Sequence, residues 1–179
     1  MALTGGSTPR VVYERLAGME LDWASWHVWW SDERQVPPDH PDSNERMARE
    51  ALLSRVEIPE SQVHPLRSLD VPLPDAFDLV LLGVGPDGHT ASLYPGHDEE
   101  LADPGPLVYV PVPGLEPLHP RITFALAYIN AQPLVALIVG GADKREILAR
   151  ILSGDESLPA ARVRARKTVV LADEPAAPK

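Results

Sequence analysis

The chain has 179 residues, of which 44% are hydrophobic and 23% charged, with no cysteine and a formal net charge of −10. That length and composition fit one soluble globular domain with a sizeable core, and no apolar stretch approaches the roughly 20 residues of a membrane-spanning helix. The acidic balance opposes non-specific binding to nucleic acid or an anionic membrane, and the missing cysteines exclude disulfides, thiolate nucleophiles and thiolate zinc sites.

The N-terminus, MALTGGSTPR, lacks the charged-then-apolar layout of a secretory signal, so a cytoplasmic location is expected. Residues 4–7 are small and flexible. A helix is expected from Thr8, with Thr8 as cap, Pro9 in the first turn, Val11, Val12 and Leu16 on one apolar face, and Gly18 as the stop. Trp26 to Trp30 reads as an aromatic-rich strand, followed by the polar loop SDERQVPPDHP. Asp42 with Glu45 forms a capping box for a helix whose apolar face is Met47, Ala51, Leu52 and Val56.

The Pro-rich stretch 66–76 reads as a connector within the domain. Phe77 to Val84 is a continuous apolar run, the pattern of a strand buried on both faces, and TASLY after it reads as a short helix. Further strands are expected at Leu107–Val112, Arg121–Ala125, Leu134–Val139 and Thr168–Leu171, with a helix at Asp143–Leu152. Residues 1–171 form a single domain in this reading, and 172–179 a disordered tail. The expected class is α/β, a mainly parallel, Rossmann-like sheet flanked by helices. Ligands on such sheets bind outside the carboxyl ends of the strands. The loops TGGST, SDERQVP, GVGPDGHT and VGGADK all fall there.

Those loops carry the chemistry. In TGGSTP, two glycines and a helix start make either an anion nest suited to phosphate or a plain tight turn. Lys144 follows a second glycine turn at a helix start, as a phosphate partner or a solvated lysine. Arg121 opens an apolar strand and either snorkels to solvent or reaches an anion. Asp32, Glu33 and Arg34 follow a strand directly, as a surface ion pair or as part of a crevice that Ser43 and Asn44 could also face. In GVGPDGHT, glycines free the backbone around Asp87 and His89; imidazole is the usual base near neutral pH, and a neighbouring carboxylate orients it. His27, His40, His64, His97 and His119 lack such a setting, and no cluster shows metal-ligand spacing. No G-x-S-x-G elbow occurs.

Taken together, LTGGSTP, WWSDERQVPPDHPDSN, FDLVLLGVGPDGHTASLYPG, PRITF and VGGADKREIL resemble, in order and over nearly the whole chain, the 6-phosphogluconolactonases of the glucosamine-6-phosphate isomerase/6-phosphogluconolactonase family. The resemblance implies a fold shared with glucosamine-6-phosphate deaminases, no metal or other cofactor, and hydrolysis of 6-phospho-D-glucono-1,5-lactone to 6-phosphogluconate. It implies that His89 activates water and Asp87 supports it. Gly5, Gly6, Ser7 and Thr8, with Arg121 and Lys144, would hold the phosphate. Asp32 and Arg34 would line the crevice, with Arg34 on a substrate anion or the oxyanion. The implied partner is the phosphosugar lactone alone, with a monomer as the favoured state.

Two departures from the family pattern stand out. The chain starts almost at the first glycine loop, where the family carries a helix and a strand before it, so an N-terminal truncation is expected. The segment between His64 and Phe77 is also short, without an extra helix. Two other readings compete. Amino-sugar-phosphate deaminases typically carry tyrosine at the position of Arg34 and an acidic residue soon after the DGH, whereas here no carboxylate follows until Asp98. A non-catalytic sugar-phosphate sensor would usually be fused to a DNA-binding segment.

Overall fold

In the computed structural model, which describes residues 1–178, the apolar runs assemble into two sheets. In chain order the elements are β1 (Ala2–Leu3), α1 (Ser7–Leu16), β2 (Trp29–Trp30), β3 (Asp32–Arg34), α2 (Asn44–Ala51) and β4 (Val80–Gly83). They continue with α3 (Asp98–Ala102), β5 (Leu107–Val110), β6 (Arg121–Phe124), α4 (Leu126–Asn130), β7 (Val135–Val139), α5 (Arg145–Leu152) and β8 (Thr168–Ala172). The larger sheet has the order β2-β1-β4-β7-β8, and every pairing in it is parallel. All five residues of β7 are buried, as a strand covered on both faces requires. β1 is only two residues long, yet Ala2 and Leu3 are fully buried. They pair with Trp29 and Trp30 on one side, and Ala2 pairs with Val80 on the other. The glycine loop at residues 4–6 therefore hangs from the middle of the sheet.

The smaller sheet departs from the sequence reading. Residues 32–34, expected in a loop, form β3, which pairs antiparallel with β6 and puts Arg34 opposite Arg121; β5 lies on the far side of β6. Three consecutive polar residues give no apolar signal, but here the strand's polar groups meet polar partners. At 90–94 the expected short helix is absent: Thr90 bridges Leu93, and Ala91 turns the chain at a φ of 48°. The first-sheet strand at 26–30 shortens to β2, with Val28 bridging Val63 instead.

Helix ends shift as well. α1 begins at Ser7 with Gly6 (φ 107°) as its N-cap, so Thr8 lies inside the first turn and does not cap it. Val11 is exposed, and the buried contact is Tyr13, whose hydroxyl donates to the Thr4 carbonyl and accepts from the Thr4 N–H, both at 2.9 Å. Ser43, and not Asp42, caps α2, accepting from the Arg46 N–H at 3.1 Å. The tail expected to be disordered is held through residue 177. The Asp173 carboxylate accepts from the N–H groups of Gly141 and Ala176, the Ala177 N–H donates to the Asp173 carbonyl, and Ala176 is fully buried. No helix of the described residues is long and apolar enough to cross a membrane.

Candidate active site

A cleft of about 210 Å³ opens over the carboxyl ends of β1, β4 and β7. Among its lining residues are His89, Arg34, Arg121, Lys144, Asp32 and the loop Gly5–Thr8, so nine of the ten residues to which the resemblance gives a site role share one space. The tenth, Asp87, stands behind His89: its Oδ1 lies 2.6 Å from the His89 Nδ1 and accepts the His89 backbone N–H at 3.1 Å. With Nδ1–H held by the carboxylate, the lone pair of the imidazole sits on Nε2. Burial raises the Asp87 carboxyl pKa, but the hydrogen bond and charge of His89 outweigh it and leave Asp87 below its ordinary value. The glycines explain the close approach. A Cβ on Gly85 would stand 2.0 Å from His89 Nδ1, and one on Gly88, at φ 84°, would meet Leu158.

The first turn of α1 presents N–H groups that no helical carbonyl can satisfy, next to the positive end of the helix dipole. A Cβ on Gly5 would fall 1.9 Å from Asn44 Oδ1, so α2 presses directly on this loop. Asn44 lines the cleft and donates through Nδ2 to the Asp32 carbonyl at 2.9 Å. Across the cleft, a Cβ on Gly140 would lie 3.0 Å from Thr8 Cγ2, which brings Lys144 and the α1 N-terminus to the same end.

The opposite wall is the β3–β6 ladder. Arg121 is 3% exposed. It donates to the Pro117 carbonyl at 2.9 Å and stands 5.8 Å from the Tyr94 ring centre. Arg34 donates to the Asp42 carbonyl. Arg34 Nε, Arg121 Nε and the Tyr94 hydroxyl are buried without a partner among the described residues. Buried donors of this kind are costly unless something binds them, and two of the three belong to guanidinium groups at the cleft. Burial lowers the Arg121 pKa, against the opposing pull of Tyr94 and Asp32, and an anion in the cleft would relieve the buried charge.

Three contributors were not assigned a role from the sequence. Tyr94 packs its ring 4.8 Å from that of His89. Ser92 donates from Oγ to Asp32 Oδ2 at 2.7 Å, which fixes a carboxylate 60 residues away. Glu33 faces away from the cleft, and its carboxylate accepts from the N–H groups of Arg34, Asn44 and Glu45 and from Ser43 Oγ. It is a side-chain cap for α2 supplied from the preceding strand. Burial raises the Glu33 pKa, although these backbone N–H groups pull it down. A local pattern carries no trace of contacts that arise only once β3 and α2 meet.

Residues 1–171 match the family model described as glucosamine-6-phosphate isomerases/6-phosphogluconolactonase. The chain belongs to this family. A 6-phosphogluconolactonase of Nostoc sp. is 44% identical over 174 residues, covering 86% of this chain and 71% of its own. The crystal structure of the family's 6-phosphogluconolactonase from Thermotoga maritima superposes with a TM-score of 0.85 at 35% identity, over 96% of this chain and 83% of that one. A monomeric glucosamine-6-phosphate deaminase superposes with a TM-score of 0.78 at 19% identity, over 98% of this chain and 86% of its own, and shares the fold alone. The parallel sheet with flanking helices is thus the family's architecture, and the expected α/β class holds.

Proposed function

We propose that the protein hydrolyses 6-phospho-D-glucono-1,5-lactone to 6-phosphogluconate, with His89 as general base. The observation that carries the reading is the His89–Asp87 pair, at 2.6 Å, turned into a cleft that also holds three cationic side chains and a helix N-terminus. Such a cleft suits a substrate with a fixed anion at one end and a reacting carbonyl at the other.

The chemistry follows from the layout. The α1 N-terminus and Lys144 bind the phosphate and orient the lactone. His89 Nε2 takes a proton from water as the water oxygen attacks the lactone carbonyl. The carbonyl oxygen becomes an oxyanion, which the guanidinium of Arg34 or Arg121, both lining the cleft, stabilises. Collapse breaks the bond from the carbonyl carbon to the ring oxygen. That oxygen leaves with the proton held on His89, and the resulting carboxylic acid ionises. Asp87, kept anionic, stabilises the transient imidazolium and holds its tautomer. The lactone hydrolyses spontaneously, so one base, a phosphate anchor and an oxyanion partner supply the acceleration needed.

The phosphate anchor is tested by kinetics on two substrates. Lys144→Ala should raise KM for the phosphorylated lactone roughly 10–100-fold, the worth of one charged contact, with a smaller change in kcat. It should leave the slow turnover of unphosphorylated glucono-1,5-lactone unchanged. Equal losses on both lactones would remove Lys144 from the phosphate site. Ammonia release from glucosamine 6-phosphate would instead assign the cleft to the deaminase reaction.

A further inference from the structure

His40, Asp42 and His119 converge beside the cleft without lining it, and neither the hydrolytic reaction nor the phosphate anchor uses them. Each offers one ligand atom, and these atoms lie within 4.8 Å of one another. Asp42 Oδ2 is the shared corner, 2.9 Å from His119 Nε2 and 3.8 Å from His40 Nδ1. Ligand atoms around a tetrahedral zinc, with bonds near 2.1 Å, sit roughly 3.4 Å apart, between these two separations. The rings of His40 and His119 stand nearly perpendicular, at 81°, with centres 5.1 Å apart, so they approach the shared corner from different directions. All three side chains are about one-third exposed, which leaves a path for an ion from solution.

The position in the fold adds a reason for an ion to matter. His40 and Asp42 lie in the segment that leaves β3 after Arg34, and His119 in the segment that enters β6 at Arg121. Arg34 and Arg121 are directly opposed in the ladder, and the Gln35 N–H donates to the Pro120 carbonyl at 2.8 Å just beyond them. The three residues therefore span the two segments immediately outside the arginine pair. Asp42 is tied to the cleft as well, because its carbonyl accepts from Arg34.

We infer that His40, Asp42 and His119 form a binding site for a divalent transition metal of the zinc class, which clips the two segments together behind Arg34. Two imidazoles and one carboxylate select zinc, cobalt or nickel over magnesium and calcium, which prefer all-oxygen sites. Binding breaks two existing contacts. The His119 Nε2–H proton must shift to Nδ1 so that Nε2 can ligate. The Asp42 N–H, which now donates to His40 Nδ1 at 3.1 Å, must yield if that nitrogen ligates. Water completes the coordination. The metal lies outside the reaction path, so stripped protein retains its hydrolytic activity.

The test is zinc titration of untagged, chelator-stripped protein by calorimetry at neutral pH, with cobalt absorption as a second readout. The expected result is one equivalent bound at micromolar protein and a higher Tm in its presence. His119→Ala and His40→Ala should each weaken binding by at least about 30-fold, as loss of one of three ligands implies. His27→Ala is the control, because His27 Nδ1 and His64 Nε2 approach to 3.2 Å and form another histidine pair on the surface. Binding should survive in that variant. Circular dichroism and Tm without zinc verify that each variant is folded, and His119→Gln replaces His119→Ala if the latter is not. No binding at micromolar protein, or binding undiminished in either cluster variant, overturns the proposal and leaves the three residues as a hydrogen-bonded latch. Loss in His27→Ala alone would move the metal to that pair and equally overturn it.

Discussion

His89→Ala should fold normally and lose kcat on 6-phosphoglucono-1,5-lactone by about 10²–10⁴-fold, the usual worth of a positioned general base. The loss should fall on kcat more than on KM, because in the proposed reading the imidazole serves the reacting carbonyl while Gly5–Thr8 and Lys144, which line the same cleft, hold the phosphate. Asp87→Asn probes the same step through one intermediary. An amide in that place can donate to Nδ1, which favours the tautomer with its proton on Nε2, the nitrogen that must accept from water. That variant should also lose kcat while retaining substrate affinity. Steady-state kinetics, corrected for spontaneous hydrolysis, checks both. A His89→Ala enzyme with unchanged kcat would remove His89 from the chemistry.

Glu33→Ala should cost about 3 kcal/mol of stability and lower Tm by roughly 10 °C for a chain of this length. The carboxylate satisfies the N–H groups of Asn44 and Glu45 at the start of α2, together with the Arg34 N–H and Ser43 Oγ. Removing it leaves three backbone donors unpaired, two of them on buried residues. A pH dependence accompanies the loss. The folded Glu33 pKa lies above its ordinary value, chiefly through burial, so the folded state binds this proton more tightly than the unfolded one. The wild type's advantage over the variant is therefore greatest below the ordinary glutamate value and declines as pH rises through the raised one. Denaturant unfolding of both proteins at several pH values measures it. An advantage that grows with pH would show that the backbone N–H groups dominate over burial.

The features legible in the sequence were those written in local pattern. The apolar run before GVGPDGHT marked β4 and the loop after it that carries His89, and the glycine-rich turns marked the start of α1 and the turn that leads to Lys144, both at the cleft. Features made by chain crossing were not legible. Asp32, Glu33 and Arg34 read as loop because a strand is ordinarily recognised by apolar alternation. Their polar groups are matched by the N-terminus of α2, one loop further on, and by Ser92 and residues of β6, distant in sequence. Asp42 resembled a helix cap, but Ser43 takes that place, which frees the Asp42 side chain to meet His119, 77 residues on. The tail looked disordered from its alanines and prolines, yet one carboxylate, Asp173, finds the Gly141 amide 32 residues back and anchors it. Spacing along the chain could not have revealed any of these pairs.

The decisive measurement is the rate at which the folded, unmodified chain consumes freshly generated 6-phosphoglucono-1,5-lactone, compared with the spontaneous rate in the same buffer. The cleft described here should accelerate hydrolysis in proportion to protein concentration, with saturation by substrate and 6-phosphogluconate as product. A rate equal to background from folded protein would contradict the catalytic reading of the His89–Asp87 pair.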